Sequence, residues 1–322
     1  MIYLTEDDIL KAASVGQMLD AIEAAMRLYE AGSFHMPQRM HVDRDDNVLL
    51  LMPCFLDDYF ATKVVTLFPG NAAKKVPVLN GVVILNDAGT GIPVALLDGP
   101  ALTAVRTAAV GAVSIRHLSP ENASAVGMIG AGVQGLHQTR AACSAIPVTD
   151  VFIYDLYPEK ASALQSKLSQ VLDGVTVHRA DSVEDLLERT QVVITATTSP
   201  EPVLPEDEGL LAGKHFVGIG SYKPDVREYP RALFNLLESV FVDTEHALAE
   251  SGDLIVPLKN GWLRPDQVST LGRLLAEGKS PTRGKEQTTF FKSVGMALFD
   301  VCASKLIYEN AVQKGLGQRI TP

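Results

Sequence analysis

Three glycines and one aspartate near the middle of the chain have the residue types and the spacing that bind phosphates and a ribose. Gly130, Gly132 and Gly135 give the pattern G-x-G-x-x-G after the apolar run 126–129, and Asp155 ends a second apolar run 20 positions beyond Gly135. Such glycines permit a tight turn, close approach of backbone to a pyrophosphate and close helix–strand packing. The segment therefore predicts a strand, a phosphate-binding helix N-terminus and a second strand, which together form a dinucleotide site.

The acid at the end of the second strand favours one of the two nicotinamide cofactors. The Asp155 carboxylate can accept hydrogen bonds from both ribose hydroxyls of NAD, and it would repel a 2′-phosphate. No arginine directly follows it in the sequence Tyr154-Asp-Leu-Tyr157. These features favour NAD(H), with NADP(H) as the alternative.

Three basic residues in the first third of the chain are candidates for binding an anionic substrate. Arg39 precedes the strand-like segments, Lys63 lies inside one of them, and Arg106 is the only charge in the helical segment 101–110. Lysine and arginine are rarely buried without a partner, yet no acid lies within a few residues of Lys63 or Arg106. Each cation alone could pair with a remote acid or extend to solvent. Together they favour a carboxylate site, since arginine binds carboxylates through two parallel hydrogen bonds.

The first third of the chain predicts an α+β unit with mostly antiparallel strands. A capping signal at Thr5 and Asp8, followed by helical spacing from Ser14 to Gly32, predicts two helices. A further helix is expected from Pro100 to about residue 118. Strands are expected at 48–52, 60–67, 81–85 and 92–97, and a turn at 87–91 joins the last two in a hairpin.

From residue 123 the pattern changes to alternating strands and helices, which predicts a parallel, doubly wound sheet and an α/β fold class. Region 257–290 reads as irregular with a possible helix at 268–277, and 293–314 reads as one amphipathic helix. We therefore predict a central Rossmann domain (120–292) inside a discontinuous substrate-binding domain (1–119 with 293–322). Strands are expected near 123–129, 151–155, 175–178, 191–196, 215–219 and 239–242, and helices near 133–145, 157–172 and 182–189.

Charge, cysteine content and missing motifs exclude several classes of protein. The chain of 322 residues carries a net charge of −10, which argues against a nucleic-acid partner. Its three cysteines lie far apart and no H-E-x-x-H or G-x-S-x-G motif occurs, so we expect no metal site, disulfide or hydrolase triad. No signal-peptide pattern and no run of about 18 apolar residues is found, which predicts a cytoplasmic protein without membrane contact.

An ordered set of short motifs resembles the ornithine cyclodeaminase/μ-crystallin family over nearly the whole chain. The resemblance implies a central Rossmann domain and a discontinuous N-terminal domain that forms a homodimer through its sheets. It also implies an enzyme of amino acid metabolism, since the family includes ornithine and lysine cyclodeaminases, imine reductases and archaeal alanine dehydrogenases. The motifs are Lys63-x-Val65-x-x-x-Pro69-x-Asn71, Val76-Pro77, Arg106-Thr-Ala-Ala109, Gly130-x-Gly-x-Gln134 and Phe291-Lys-Ser-Val-Gly295.

The resemblance also implies roles for individual residues. Arg39, Lys63 and Arg106 match the positions that bind the substrate carboxylate. The positions that match cofactor contacts or flank the nicotinamide are Thr107, Gly130, Gly132, Val133, Gln134, Asp155, Thr195, Thr197, Ile219, Ser293 and Val294.

The chain departs from the cyclodeaminase pattern at three positions. Tyr222 stands two residues before Pro224, where cyclodeaminases carry an aspartate, while Leu50 and Val78 replace a glutamate and a threonine. Without these acids the site is cationic and apolar, which suits a cyclic imino acid such as Δ1-pyrroline-2-carboxylate, reduced by hydride transfer to C=N. The imine nitrogen needs a proton, and the candidate donors are Lys63, Tyr222 and an ordered water. The alternatives are an ornithine cyclodeaminase, an alanine-type dehydrogenase and a non-enzymatic crystallin-like binding protein.

Overall fold

The computed structural model describes residues 1–221, 223–278 and 287–321. Its strands are β1 (Ile2–Leu4), β2 (Met40–Arg44), β3 (Asn47–Phe55), β4 (Tyr59–Leu67), β5 (Leu79–Asp87), β6 (Pro93–Asp98), β7 (Ala125–Ile129), β8 (Asp150–Tyr154), β9 (Thr176–Arg179), β10 (Val192–Thr195), β11 (His215–Gly218), β12 (Leu237–Val242), β13 (Val268–Thr270), β14 (Thr288–Lys292) and β15 (Gln318–Arg319). Its helices are α1 (Glu6–Ala12), α2 (Val15–Ala31), α3 (Gly99–Leu118), α4 (Val133–Ala145), α5 (Pro158–Val171), α6 (Val183–Arg189), α7 (Glu208–Leu211), α8 (Arg231–Asn235), α9 (Ala247–Glu250), α10 (Gly252–Lys259), α11 (Leu271–Ala276) and α12 (Ala297–Lys314). The chain divides into two units, the first of Met1–Arg106 with Met296–Pro322 and the second of Thr107–Gly295.

The first unit is built on a sheet with the strand order β15-β1-β6-β5-β4-β3-β2. Its pairs are antiparallel except β1 with β6. The C-terminal helix α12 packs against α2 and against β3, β4 and β5, so it covers one face of the sheet. Side chains alternate between the faces of a strand, and β4 buries Ala61, Lys63 and Val65. The sequence thus places a lysine on the apolar, covered face of a strand.

The second unit contains a fully parallel sheet with the order β13-β12-β14-β11-β10-β7-β8-β9. Read from β9, the first six strands follow the 3-2-1-4-5-6 order of a Rossmann fold, with β14 in the sixth place. Phe216, Tyr229 and Phe290 are fully buried in its core. The predicted fold class is confirmed, whereas the predicted domain boundaries stay a prediction.

The sequence-based reading differs from the structure in three places. The described part of region 257–290 is not irregular, because it contains the short strands β13 and β14. The predicted helix 268–277 is confirmed over Leu271–Ala276, whereas its first three residues form β13. The predicted helix 293–314 starts only at Ala297, since the chain first leaves β14 through a turn in which Gly295 has φ +72°. The short strands β1, β2 and β15 were not predicted; β2, at the edge of the sheet, is exposed along its whole length and so has no alternating pattern.

Two further properties concern the residues that the structure describes. Among them, no helix combines the length and the apolar character needed to cross a membrane. No group of three or more His, Cys, Asp or Glu side chains in the same ranges is arranged to hold a metal ion.

Candidate functional site

The turn after β7 has a geometry that only glycine accepts. Gly130 has φ +105°, a value that L side chains rarely adopt, and its N–H donates to the carbonyl of Tyr154 at 2.9 Å. A Cβ at this position would lie 2.6 Å from the carbonyl oxygen of Ala196. The first glycine of the motif therefore lets the ends of β7, β8 and β10 come together.

The N-terminus of α4 leaves its first N–H groups open to a ligand. Gly132 is the N-cap residue and provides no side-chain cap, and an added Cβ there would meet nothing within 4 Å. Val133, the first helical residue, is exposed. Uncapped N–H groups at a helix N-terminus favour an anion.

A cavity of about 760 Å³ opens beside this helix start. Its lining includes the glycine turn, Asp155 and Leu156 after β8, and Thr197 after β10. One Asp155 oxygen accepts from the Ala131 N–H at 2.7 Å and the other from the Tyr157 N–H at 2.9 Å, which fixes the carboxylate at the cavity. Leu156 projects beside it with 77% of its surface exposed. The volume, the open N–H groups and the fixed acid fit the adenosine diphosphate half of a dinucleotide that has a free 2′-hydroxyl.

The predicted cofactor residues after β10 and β11 differ in where their side chains point. Thr195 is fully buried and its hydroxyl donates to Tyr229 Oη at 2.9 Å, so it supports the turn from inside. Thr197 lines the cavity, and both its N–H and its hydroxyl donate to Glu228 at 2.8 Å. Ile219 is mostly buried, and its N–H donates to the Thr195 carbonyl at 2.9 Å.

The predicted residues after β14 are held by a buried acid that the sequence did not indicate. Asp243 accepts from the Ser293 hydroxyl at 2.7 Å, from the Val294 N–H at 3.1 Å and from the Gly295 N–H at 2.7 Å. This carboxylate therefore sets the conformation of the turn that leads out of the parallel sheet.

Thr107 and Gln134 are linked through a side chain of α4. Gln138 is fully buried, and its amide donates to the Thr107 carbonyl at 3.0 Å and to Gln134 Oε1 at 3.2 Å. The Gln134 side chain, inside the glycine motif, is thus positioned from its own helix.

Two of the three predicted substrate-binding cations form a buried cluster in the first unit. Lys63 Nζ lies 2.8 Å from Asp300 Oδ2, and Arg106 Nε lies 2.8 Å from Asp300 Oδ1. The exposed fractions of the three residues are 3%, 5% and 1% for Lys63, Arg106 and Asp300. The partner that the sequence could not identify is thus a distant carboxylate of the protein, on α12. Two cations share one acid, so the cluster keeps a surplus positive charge.

Burial and neighbouring charges perturb both partners of this cluster. Burial, together with the positive charges of Arg106 and Arg39, lowers the pKa of Lys63 to about 8, although Asp300 opposes the shift. Burial raises the pKa of Asp300, but the charges of Arg106 and Lys63 outweigh it and leave the pKa below its usual value. Asp300 is therefore ionised at neutral pH, whereas the Lys63 ammonium loses its proton at a pH close to neutral. The charge of Arg39, the third predicted cation, makes the smallest contribution to the lowered pKa of Lys63.

Asp300 is the functional candidate that sequence reasoning missed. It is the only charged residue in the segment 293–304, which is otherwise apolar or small. An isolated acid on the buried side of a helix needs a buried cation, and that signal could have connected it to Lys63 or Arg106. The other predicted catalytic residue, Tyr222, lies outside the described residues.

Comparison with known proteins gives consistent matches over the whole chain. The sequence model of the ornithine cyclodeaminase/mu-crystallin family matches residues 1–315. A Δ1-pyrroline-2-carboxylate reductase of Bacillus cereus is 30% identical over 99% of both chains. The solved structure of the Thermococcus litoralis Δ1-pyrroline-2-carboxylate reductase, in complex with NADH and L-proline, is 31% identical with a TM-score of 0.93 and covers 99% of this chain and 100% of that one. An archaeal alanine dehydrogenase dimer with bound NAD is 30% identical with a TM-score of 0.91, over 100% and 99% of the two chains.

Proposed function

Because the chain belongs to the ornithine cyclodeaminase/mu-crystallin family, we propose that it is an NAD(H)-dependent reductase of a cyclic imino acid, with Δ1-pyrroline-2-carboxylate as the first candidate. The observation that carries the proposal is the buried cluster of Lys63, Arg106 and Asp300, whose surplus positive charge suits a substrate with one carboxylate. The charge of a third cation, Arg39, acts on Lys63 in the same direction as that of Arg106.

The second unit supplies the groups that would hold the cofactor. The open N–H groups of α4 and the turn at Gly130 suit the pyrophosphate, and Asp155 suits the adenosine ribose. When bound, NADH supplies the hydride, and that chemistry belongs to the cofactor. The chain's own task is to bind, orient and protonate the substrate.

The position of Asp300 assigns separate roles to the nitrogens of Arg106. Within the described part of the chain, Asp300 is bonded to Nε of the guanidinium. We therefore assign the two terminal nitrogens to the substrate carboxylate, which they can bind through two parallel hydrogen bonds. In this arrangement Asp300 fixes the plane of Arg106 from inside and also holds the Lys63 ammonium.

Lys63 is the described residue best suited to protonate the imine nitrogen. An ordinary lysine with a pKa near 10.4 is a weak acid at neutral pH, whereas burial lowers the pKa of Lys63 to about 8. A general acid works best when its pKa lies close to the working pH. Tyr222 and an ordered water remain the alternative donors.

The pH dependence of the reaction follows from this assignment. Imine reduction requires protonated Lys63, so kcat/KM should be constant below the pKa of about 8 and fall about tenfold per pH unit above it. Oxidation of the cyclic amino acid requires neutral Lys63, so its rate should rise through the same pH. Both directions are to be measured from pH 6 to pH 10, with thermal unfolding as a check on stability. A reduction rate that stays flat to pH 10 contradicts the assignment.

Replacing Asp300, the acid that Lys63 and Arg106 share, should change the pH above which kcat/KM falls. The negative charge of Asp300 raises the pKa of Lys63, so Asp300→Asn should shift the fall in kcat/KM to lower pH. Removing one partner of a buried ion pair should also destabilise the protein by roughly 3–5 kcal/mol. The matched control is Asp58→Asn, which removes the half-exposed partner of Lys305 in the same unit and should leave the pH profile unchanged. If kcat/KM of Asp300→Asn falls at the same pH as that of the wild type, Asp300 does not influence the group whose pKa sets the profile.

The assay that tests the function uses NADH oxidation with a panel of substrates. The proposal expects turnover with Δ1-pyrroline-2-carboxylate or Δ1-piperideine-2-carboxylate alone, without added ammonia. Turnover that needs both pyruvate and ammonia identifies an alanine-type dehydrogenase, the second candidate, since the archaeal alanine dehydrogenase is as similar as the reductases. Ammonia release from ornithine with catalytic NAD identifies a cyclodeaminase. NADH binding without any turnover identifies a crystallin-like binding protein.

We also propose that the protein is a homodimer and that it works in the cytoplasm. One structural relative is an alanine dehydrogenase dimer, and β2 is an exposed edge strand that a second copy could extend. The three cysteines are free thiols, which fits a reducing compartment. Light scattering should give twice the monomer mass of 34.6 kDa.

A further inference from the structure

The second unit buries a carboxylate that the reaction described above does not use. Glu228 has no exposed surface and accepts four hydrogen bonds. Oε1 accepts the N–H and the hydroxyl of Thr197, both at 2.8 Å, and Oε2 accepts the N–H groups of Gly220 at 2.9 Å and Ser221 at 3.2 Å. One oxygen therefore binds the turn after β10 and the other binds the turn after β11.

Glu228 is in turn held by a second buried acid and a buried lysine. The Glu228 N–H donates to Asp253 Oδ1 at 2.7 Å, and Asp253 Oδ2 lies 3.0 Å from Lys292 Nζ at the end of β14. None of the three side chains has exposed surface. The chain of contacts from Thr197 to Lys292 thus connects the carboxyl ends of β10, β11 and β14.

The two turns are packed against this carboxylate without free space. A Cβ at Gly220 would lie 2.3 Å from the Thr197 carbonyl oxygen and 2.6 Å from Glu228 Oε2. A side chain at this position would force the turns apart. The turns after β10 and β11 therefore approach each other closely at Gly220, and this position has no room for a side chain.

The four groups that face Glu228 all donate hydrogen bonds, so the geometry fits an ionised carboxylate. The pKa of Glu228 is nevertheless raised, because burial and the negative charge of Asp253 outweigh the charge of Lys292 and the hydrogen bonds from Thr197. A glutamine would place an amide N–H₂ against donors on one side, and it would have to release one of the two turns.

The strand order indicates which half of the cofactor these turns serve. Asp155 follows β8, on one side of the central strand β7, whereas β10 and β11 lie on the other side. In a doubly wound sheet the two halves of a dinucleotide bind on opposite sides of the central turn, at the carboxyl ends of the strands. The adenosine half belongs with Asp155, so the turn after β11 belongs with the nicotinamide half. The turn after β10, whose Thr197 also lines the cavity beside Asp155, lies between the two halves.

We propose that Glu228 is a positioning residue that holds the turns after β10 and β11 in the conformation that receives the nicotinamide half of the cofactor. The inference rests on the proposed function in that it takes NAD(H) as the cofactor. It assigns to Glu228 no contact with the substrate or with reacting atoms. A buried carboxylate of this kind is costly to desolvate, and the fixed spacing of the two turns is what it provides in return.

The test compares the affinity of NADH with that of ADP, which carries only the adenosine and pyrophosphate part. In Glu228→Gln, calorimetric titration should give a dissociation constant for NADH raised roughly tenfold or more, the effect of losing one charge-assisted hydrogen bond. The constant for ADP should change by no more than about threefold. Asp155 and the α4 N-terminus keep their contacts, and only Thr197 of this cavity loses its partner. Glu228→Asp should not restore NADH binding, since the shorter side chain keeps the charge but cannot reach both turns. The matched control Glu188→Gln, at an exposed position of α6, should change neither constant.

Each other outcome has a defined meaning. If Glu228→Gln weakens the binding of NADH and of ADP equally, Glu228 contributes only to general stability and the inference is overturned. Unchanged binding of both ligands overturns it as well. If Glu228→Gln does not fold, Thr197→Val decides. It removes the hydroxyl bond to Glu228 Oε1 together with the bond that the hydroxyl accepts from the Ser199 N–H. The dissociation constant of NADH should rise about threefold, and an unchanged constant overturns the inference. If the wild-type protein binds neither NADH nor ADP, the proposed function fails as well. If Glu228→Gln selectively loses NADH binding but the wild type reduces no imino acid, the role of Glu228 is supported and the proposed substrate is rejected.

Discussion

Replacing Lys63 with methionine should lower kcat/KM for imine reduction by about a thousandfold. Methionine keeps the length and apolar stem of the side chain but removes the ammonium, which lies 2.8 Å from Asp300 on the covered face of β4. Loss of a general acid typically costs between about 10² and 10⁴ in rate. Because the proton is delivered during the chemical step, most of the loss should fall on kcat and only a smaller part on KM.

The same experiment separates the candidate donors. The control Lys305→Met removes a partly exposed lysine that pairs with Asp58 in the same unit, and it should change kcat/KM by less than about threefold. If Lys63→Met raises KM and leaves kcat intact, Lys63 binds the carboxylate and another group donates the proton. Tyr222→Phe then becomes the decisive variant, because a loss of kcat there would identify the tyrosine as the donor.

A double substitution after β8 should reverse the cofactor preference. Asp155→Ser with Leu156→Arg removes the carboxylate that repels a 2′-phosphate and places a cation at a position that is 77% exposed beside the cavity. A site built to hydrogen-bond a hydroxyl discriminates strongly, and an arginine binds phosphate through two hydrogen bonds. The ratio of kcat/KM for NADPH to that for NADH should rise by about 10³, as measured with one imino acid at fixed concentration.

Leu156→Ala is the control for this change, since it shortens the same exposed side chain without adding charge. It should leave the preference for NADH in place. Asp155→Ser alone should raise the dissociation constant of NADH more than tenfold, because the carboxylate also accepts a hydrogen bond from the Ala131 N–H of the glycine turn. A wild-type enzyme that prefers NADPH would contradict the role given to Asp155.

Short-range patterns predicted the parts of the fold that depend on neighbouring residues. The glycine turn, α4 and the acid after β8 were predicted because strand, turn and helix signals follow one another within 30 residues or so. The helix cap at Thr5 and the start of a helix at about Ser14 were predicted for the same reason, and both residues form capping boxes in the structure. These features require no knowledge of tertiary contacts.

The features that sequence reasoning missed depend on residues far apart in the chain. Asp300 bonds to Arg106 from a position 194 residues away, so its partner is not visible in the neighbouring sequence. Strand β14 is buried at every residue, so it lacks the alternation that marks a half-buried strand. The role of Glu228 likewise arises only when β10 and β11 lie side by side in the sheet.

Both missed acids illustrate one physical rule about buried charge. A carboxylate in the interior is stable only with several donors or a cation. Asp300 has two cations, and Glu228 has three N–H groups and a hydroxyl. In each case the acid fixes other groups in place, which explains why an acid and not an apolar residue stands there.

The most direct test of the central claim follows the hydride itself. NADH carrying deuterium at both C4 positions is mixed with Δ1-pyrroline-2-carboxylate and the enzyme, and the product is analysed by mass spectrometry and proton NMR. The account predicts proline with one deuterium at Cα for each cofactor oxidised. Proline without deuterium at Cα would contradict it. So would an enzyme that leaves Δ1-pyrroline-2-carboxylate unchanged but turns over pyruvate with ammonia, or ornithine.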